Sequence, residues 1–159
     1  MKGAQQNRGG APVGYLTDVS DLEASTVLYF RLWCEGPDCR ARVWSDFATS
    51  LGTEHGRAAL NAFEDLCTLL TRHCRRRLMR HGLECSCLGA DEAIIANFVA
   101  AATQGDQEDA TLLASLLVRS DLAAVLTGSA QQVGLAIQRI NRRAKSMTPP
   151  EFQTLHQLH

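Results

Sequence analysis

Residues 65–92 read DLCTLLTRHCRRRLMRHGLECSCLGADE, and this run concentrates the chain's chemistry. It holds four of the six cysteines, two of the five histidines and five of the sixteen Lys and Arg residues. Its first half also decides the fold class. Leu60, Phe63, Cys67, Leu70, Cys74, Arg77 and His81 alternate spacings of three and four, which aligns them on one helical face. Thr53 is placed to cap that helix and Gly82 to end it, so the spacing predicts one long helix over 54–81.

Upstream of it, Ser20-x-x-Glu23 has the form of a capping box, in which each end satisfies the other's free amide. It opens a helix over 21–34. The second half, residues 26–33, is rich in β-branched and aromatic side chains, which also suit a strand. No second segment offers that strand a partner, so helix is the reading. Gly36-Pro37 breaks this helix and starts the next, over 38–51, with Val43, Trp44, Phe47, Ala48 and Leu51 on its apolar side. Gly52 closes it.

Downstream, residues 86–89 make a short turn. A helix over 90–104 follows, with Ile94, Ile95, Phe98, Val99 and Ala102 as its apolar side. Asp91 and Glu92 in its first turn favour the positive end of the helix dipole. Asp106 caps a helix over 107–119, which is apolar over a wide arc (Leu112, Leu113, Leu116, Leu117, Val118) and is expected at the centre of the core. A short helix over 121–126, a Gly128-Ser129 turn and a helix over 130–145 complete the body. Thr148-Pro-Pro-Glu151 has the form of a second capping box, before a brief terminal helix carrying Phe152, Leu155 and Leu158.

The expected fold is therefore all-α: an irregular bundle of about six to seven helices in a single domain over 17–146. Residues 1–16, polar and Gly-rich, form a disordered N-terminal tail in this reading, and 147–159 a C-terminal tail with a short helix. The chain's 159 residues suffice to bury one core. The net charge of −1 gives no overall pull toward nucleic acid or acidic membranes. No run has the length of a membrane span, and the N-terminus lacks the apolar segment of a secretory signal. The expected location is the cytoplasm, where cysteines are free thiols, metal ligands or redox residues rather than a disulfide framework.

The densest set of potential ligands is His81-x-x-x-Cys85-x-Cys87. Zinc takes thiolate and imidazole ligands in a tetrahedron, and a Cys-x-Cys turn can present two sulfurs to one ion. The spacing is not a standard zinc signature and a fourth ligand is missing. Glu92 is one possible ligand, neighbour or base; Cys74 is another ligand. On a continuous helix Cys74 lies about 10.5 Å along the axis from His81, too far to share an ion with it. Cys34 and Cys39, spaced Cys-x₄-Cys across the Gly36-Pro37 break, form a second candidate pair. Cys67 and Cys74, on the apolar stripe, also read as small core hydrophobes. For Cys85 and Cys87 three readings stay open: metal ligands, a redox pair, or inert thiols.

Arg72, Arg75, Arg76, Arg77 and Arg80 form a basic patch that could hold phosphate or nucleic acid, or simply complement a helix end. The Gly128-Ser129 turn has helix-turn-helix arithmetic, with Gln131, Gln132, Gln138 and Asn141 as base readers. No phosphate loop, dinucleotide fingerprint or nucleophile elbow occurs. Three functions are consistent with these residues. The first is a zinc-binding regulatory module acting through a protein partner, with no catalytic residue. The second is a nucleic-acid-binding regulator, and the third a thiol- or metal-dependent enzyme with Glu92 as base.

Overall fold

The computed structural model describes residues 8–147 and is a helical bundle, as the periodicity predicts. The six helices are α1 (Asp21–Glu35), α2 (Pro37–Leu51), α3 (Thr53–Arg72), α4 (Ala90–Gln104), α5 (Gln107–Leu117) and α6 (Ala123–Ser146). Two short strands, β1 (Pro12–Tyr15) and β2 (Cys87–Gly89), pair antiparallel. Residues 1–7 and 148–159 lie outside the described residues, and with them the expected Thr148–Glu151 capping box and terminal helix.

The local signals at the early boundaries hold, except that Thr53 is the first residue of α3 and Gly52, with no side chain to cap it, takes the N-cap position. Ser20 Oγ accepts from the Glu23 amide, and Glu23 Oε2 accepts from the Ser20 amide at 2.8 Å, closing the capping box. Gly36 takes φ 127°, a conformation that disfavours any side chain, and lets α2 start at Pro37 immediately after α1. Gly105 ends α4 in the left-handed conformation.

The core gathers around α4 and α6, against which α1, α3 and α5 pack. Tyr29, Phe47 and Phe63 from α1, α2 and α3 meet at its other side; the Tyr29 and Phe47 rings stand edge to face at 5.4 Å. Such pairs add to the stabilisation that burial of their area supplies. Ile95, Phe98, Val99 and Ala102 are all fully buried, as their spacing predicts.

Four expectations are corrected. First, α5 is not central: Leu112 and Leu116 are 67% and 63% exposed, and α5 buries only Ala110, Ala114 and Leu117. Its apolar arc is wider than the contact available to it, and α4 occupies the centre instead. Second, residues 121–145 do not form two helices; α6 runs unbroken through Gly128. A helix-interior Gly costs only about 1 kcal/mol, and the buried stripe Leu126, Ala130, Val133, Ile137 and Ile140 outweighs it. The helix-turn-helix comparison therefore fails, since the turn it needs is absent. Third, the expected disordered tail is structured from Arg8 onward, as a 3₁₀ turn (Arg8–Gly10) and then β1. Fourth, α3 stops at Arg72, not His81. Beyond it Cys74 bridges Val118, and the Arg75 amide donates to Leu117 O, so tertiary pairing takes the chain out of the helix.

Candidate functional site

The consequence of that early stop is a loop, residues 73–86, in place of two helical turns. It is held from beneath by two ion pairs, one with both partners buried and one in which only the carboxylate is buried. Arg31 on α1 is fully buried, and all five of its N–H donors are used. Its Nε and Nη2 bind the two Glu92 oxygens at 2.7 and 2.8 Å. Nη1 donates to Gly82 O and Cys85 O, and Nη2 also to Cys87 O. Glu92, at the start of α4, is equally saturated: Oε1 also accepts from the His81 amide and Oε2 from the Gly89 amide. Burial alone would raise the Glu92 carboxyl. The Arg31 hydrogen bonds and the two amides overcome that and hold it below its usual 4.5.

The second pair joins Arg76 of the loop to Asp91, which is fully buried and also accepts from the Met79 amide. Gly9 packs against the Asp91 carboxylate so closely that a Cβ there would collide with it. The N-terminal turn thereby closes over the loop. Among the described residues no buried side-chain nitrogen or oxygen lacks a partner. A saturated network of this kind fixes one conformation, because any partial rearrangement strands a buried charge.

On this platform stand His81, Cys85 and Cys87. The His81 ring lies against Gly89, and its Nε2 is 2.8 Å from Gly10 O. A carbonyl can only accept, so Nε2 carries the proton. In the neutral ring Nδ1 is then a free acceptor, and it lies 3.5 Å from Cys85 Sγ. Cys87 sits beside Cys85, two residues on along extended chain, where side chains share a face. The Cys87 thiol is pushed up, first by hydrogen bonding with the Cys85 sulfur, then by lost hydration and the Cys85 charge; Arg31 pulls the other way. All three side chains are half-buried and reachable.

The other expected ligands are elsewhere. Glu92 is not free to act as a metal ligand or base, because Arg31 and two amides fill its acceptor sites. Cys74 and Cys34 line a different feature, an open cleft of about 500 Å³ between α1 and the end of α3. Cys74 is thus apart from His81 because the chain turns away, not because a helix separates them. Cys39 is half-buried on α2, and Cys67 is fully buried in the core, where loss of hydration pushes its thiol well up. Among the described residues no group of three or more His, Cys, Asp and Glu side chains is arranged to hold a metal ion. All six cysteines are free.

The basic patch also divides. Arg75 donates to Ser115 O and Val118 O, Arg76 pairs with Asp91, and Arg80 pairs with Glu35. Only the guanidinium groups of Arg72 and Arg77 have no such partner among the described residues, and both line the cleft.

Sequence reasoning missed Arg31, Asp91, Gly9 and Gly10. A signal for Arg31 was present: a lone charge in the apolar run 26–33 must be paired if that run is buried. Gly9 and Gly10 gave none, since their role is a close approach to residues far along the chain. No family model, curated protein or solved structure matches the chain at a significant level.

Proposed function

We propose that the protein is a thiol–disulfide exchange module, with Cys85 as the attacking thiol, His81 as its base and Cys87 as the resolving thiol. The observation that carries this reading is the linked set Gly10 O, His81 and Cys85. It has the nucleophile–base–orienter logic of activated thiols, with a backbone carbonyl as the orienter.

The chemistry balances within these groups and a disulfide-bearing protein partner. Cys85 passes its proton to His81 Nδ1, and the thiolate attacks one sulfur of the partner's disulfide. That S–S bond breaks, and the departing thiolate takes the proton back from the imidazolium. Cys87, deprotonated by solvent, then attacks Cys85 Sγ. The second partner thiol leaves, and Cys85 and Cys87 are joined. The partner gains two electrons and the cysteine pair loses two; two equivalents of a low-molecular-weight thiol reset the pair and leave as their own disulfide. A disulfide between cysteines two apart is strained and easily reduced, which suits a reversible exchanger. Exposed Val13 and Tyr15 on β1 give a polypeptide a surface beside the pair. Free thiols throughout are consistent with a reducing compartment such as the cytoplasm.

Zinc is the second reading. It is favoured by the carbonyl behind the imidazole, the usual support of a metal-bound histidine. It would use His81 Nδ1 and both thiolates, which would have to close together from their present arrangement, and it needs a fourth ligand from outside the described residues or from a partner.

One comparison tests the proposal. His81→Ala is expected to slow reduction of a small aromatic disulfide about 10²-fold or more, the usual contribution of a positioned base. Unchanged rates, or a stoichiometric zinc ion that masks both thiols until it is chelated, would overturn the exchange reading.

A further inference from the structure

We propose that the cleft between α1 and the end of α3 binds a small phosphate monoester with an aromatic or apolar body. Four arginines line it, Arg40, Arg72, Arg77 and Arg80, and no carboxylate does. Two of the four are already held in place. Arg40 donates to Trp33 O and lies over the Trp33 ring, 4.0 Å from its centroid, and Arg80 is anchored by Glu35. Arg72 and Arg77 bring unpaired guanidinium groups to the same space. Planar forks match phosphate oxygens two at a time, and hydrogen bonds between two charged groups are the strong ones.

The rest of the cleft sets the size and character of the ligand. Leu78 supplies apolar wall and Trp33 an aromatic edge, both half-buried, over the buried Phe30 and Leu70. The volume, about 500 Å³, falls in the range of small-molecule sites. A single strand of nucleic acid would call for a basic groove that tracks several nucleotides. Here the four arginines line one hollow, in a chain of net charge −1. The site is separate from the Cys85–Cys87 pair and does not depend on its chemistry.

The test is a titration followed by Trp33 fluorescence in a Trp44→Phe background, Trp33 and Trp44 being the two tryptophans. Adenosine monophosphate serves as probe, with adenosine, inorganic phosphate and a single-stranded RNA of about twenty nucleotides as comparisons, all at constant ionic strength. Adenosine monophosphate is expected to saturate the signal, inorganic phosphate to bind more weakly, and adenosine not to bind. Arg72→Ala plus Arg77→Ala is expected to weaken binding about tenfold or more, and Arg72→Lys plus Arg77→Lys to lose much of it despite keeping the charge. The proposal is overturned if adenosine monophosphate gives no saturable signal, or if both double variants bind it as well as the parent does. RNA binding far tighter than the mononucleotide, and lost in the same variants, would also overturn it, making the patch a nucleic-acid surface.

Discussion

Arg31 and Arg77 are the same kind of side chain, one beneath the loop and one in the cleft, and they have opposite fates. Arg31 is buried, spends all five donors and fixes the loop beneath Cys85 and Cys87. Arg77 is exposed, with an unpaired guanidinium facing open space. A saturated arginine is part of the fold, and its removal is read in stability. An unsaturated arginine in a cleft is available to a ligand, and its removal is read in binding.

The largest expected effect breaks the first half of that contrast. Arg31→Met leaves the Glu92 charge buried without its partner and frees three carbonyls of the loop. Removing one member of a buried pair typically costs about 3–5 kcal/mol, a large part of a domain's stability. Urea melts should place the variant there. Adding Glu92→Gln should cost less than the sum of the two single changes, because the two residues act as one unit. In the same melts the Arg72→Ala plus Arg77→Ala variant should stay within about 0.5 kcal/mol of the parent. A large loss there would mean that the cleft arginines are structural after all.

A smaller effect follows from pH. The Glu92 carboxyl is held below its usual 4.5 in the folded chain, so its contribution is present above that value and is lost as pH falls through the folded-state value. Stability attributable to this pair should be flat from neutral pH down to about 5 and should decline below it. Equilibrium unfolding across that range checks this. In Arg31→Met, burial is left to act on Glu92 with only the two amides opposing it, so the acid-side loss from this carboxyl should shrink or reverse, the folded chain gaining stability as the buried carboxylate is protonated.

The same contrast explains how far the sequence could be read. The helices at 21–35, 37–51 and 90–104 were legible because caps, breakers and apolar spacing agree there. The end of α3 was not. Its periodic stripe continues through Arg77 to His81, but Asp91, Leu117 and Val118, all more than ten positions away from the contacts they make, pull the loop out of the helix. Local pattern carries no trace of such pairings. The spacing groups His81, Cys85 and Cys87 as one candidate ligand set; in the structure Cys85 lies beside His81, and no three such side chains among the described residues are arranged for an ion. The role given to Glu92 was not, since an acid in a helix's first turn looks the same whether it faces water or a buried guanidinium. The five arginines of 72–80 also looked alike in sequence, and only their partners sort them.

The central claim is that Cys85 and Cys87 act as a pair on a rigid platform. It is tested most directly by titrating the reduced protein with oxidised glutathione and mapping, by peptide mass, which cysteines oxidise first. The account predicts a Cys85–Cys87 disulfide ahead of any change at Cys34, Cys39, Cys67 or Cys74, formed much more slowly in His81→Ala. First oxidation at Cys34 or Cys74 in the cleft, or a Cys85–Cys87 pair that stays reduced throughout, would contradict it.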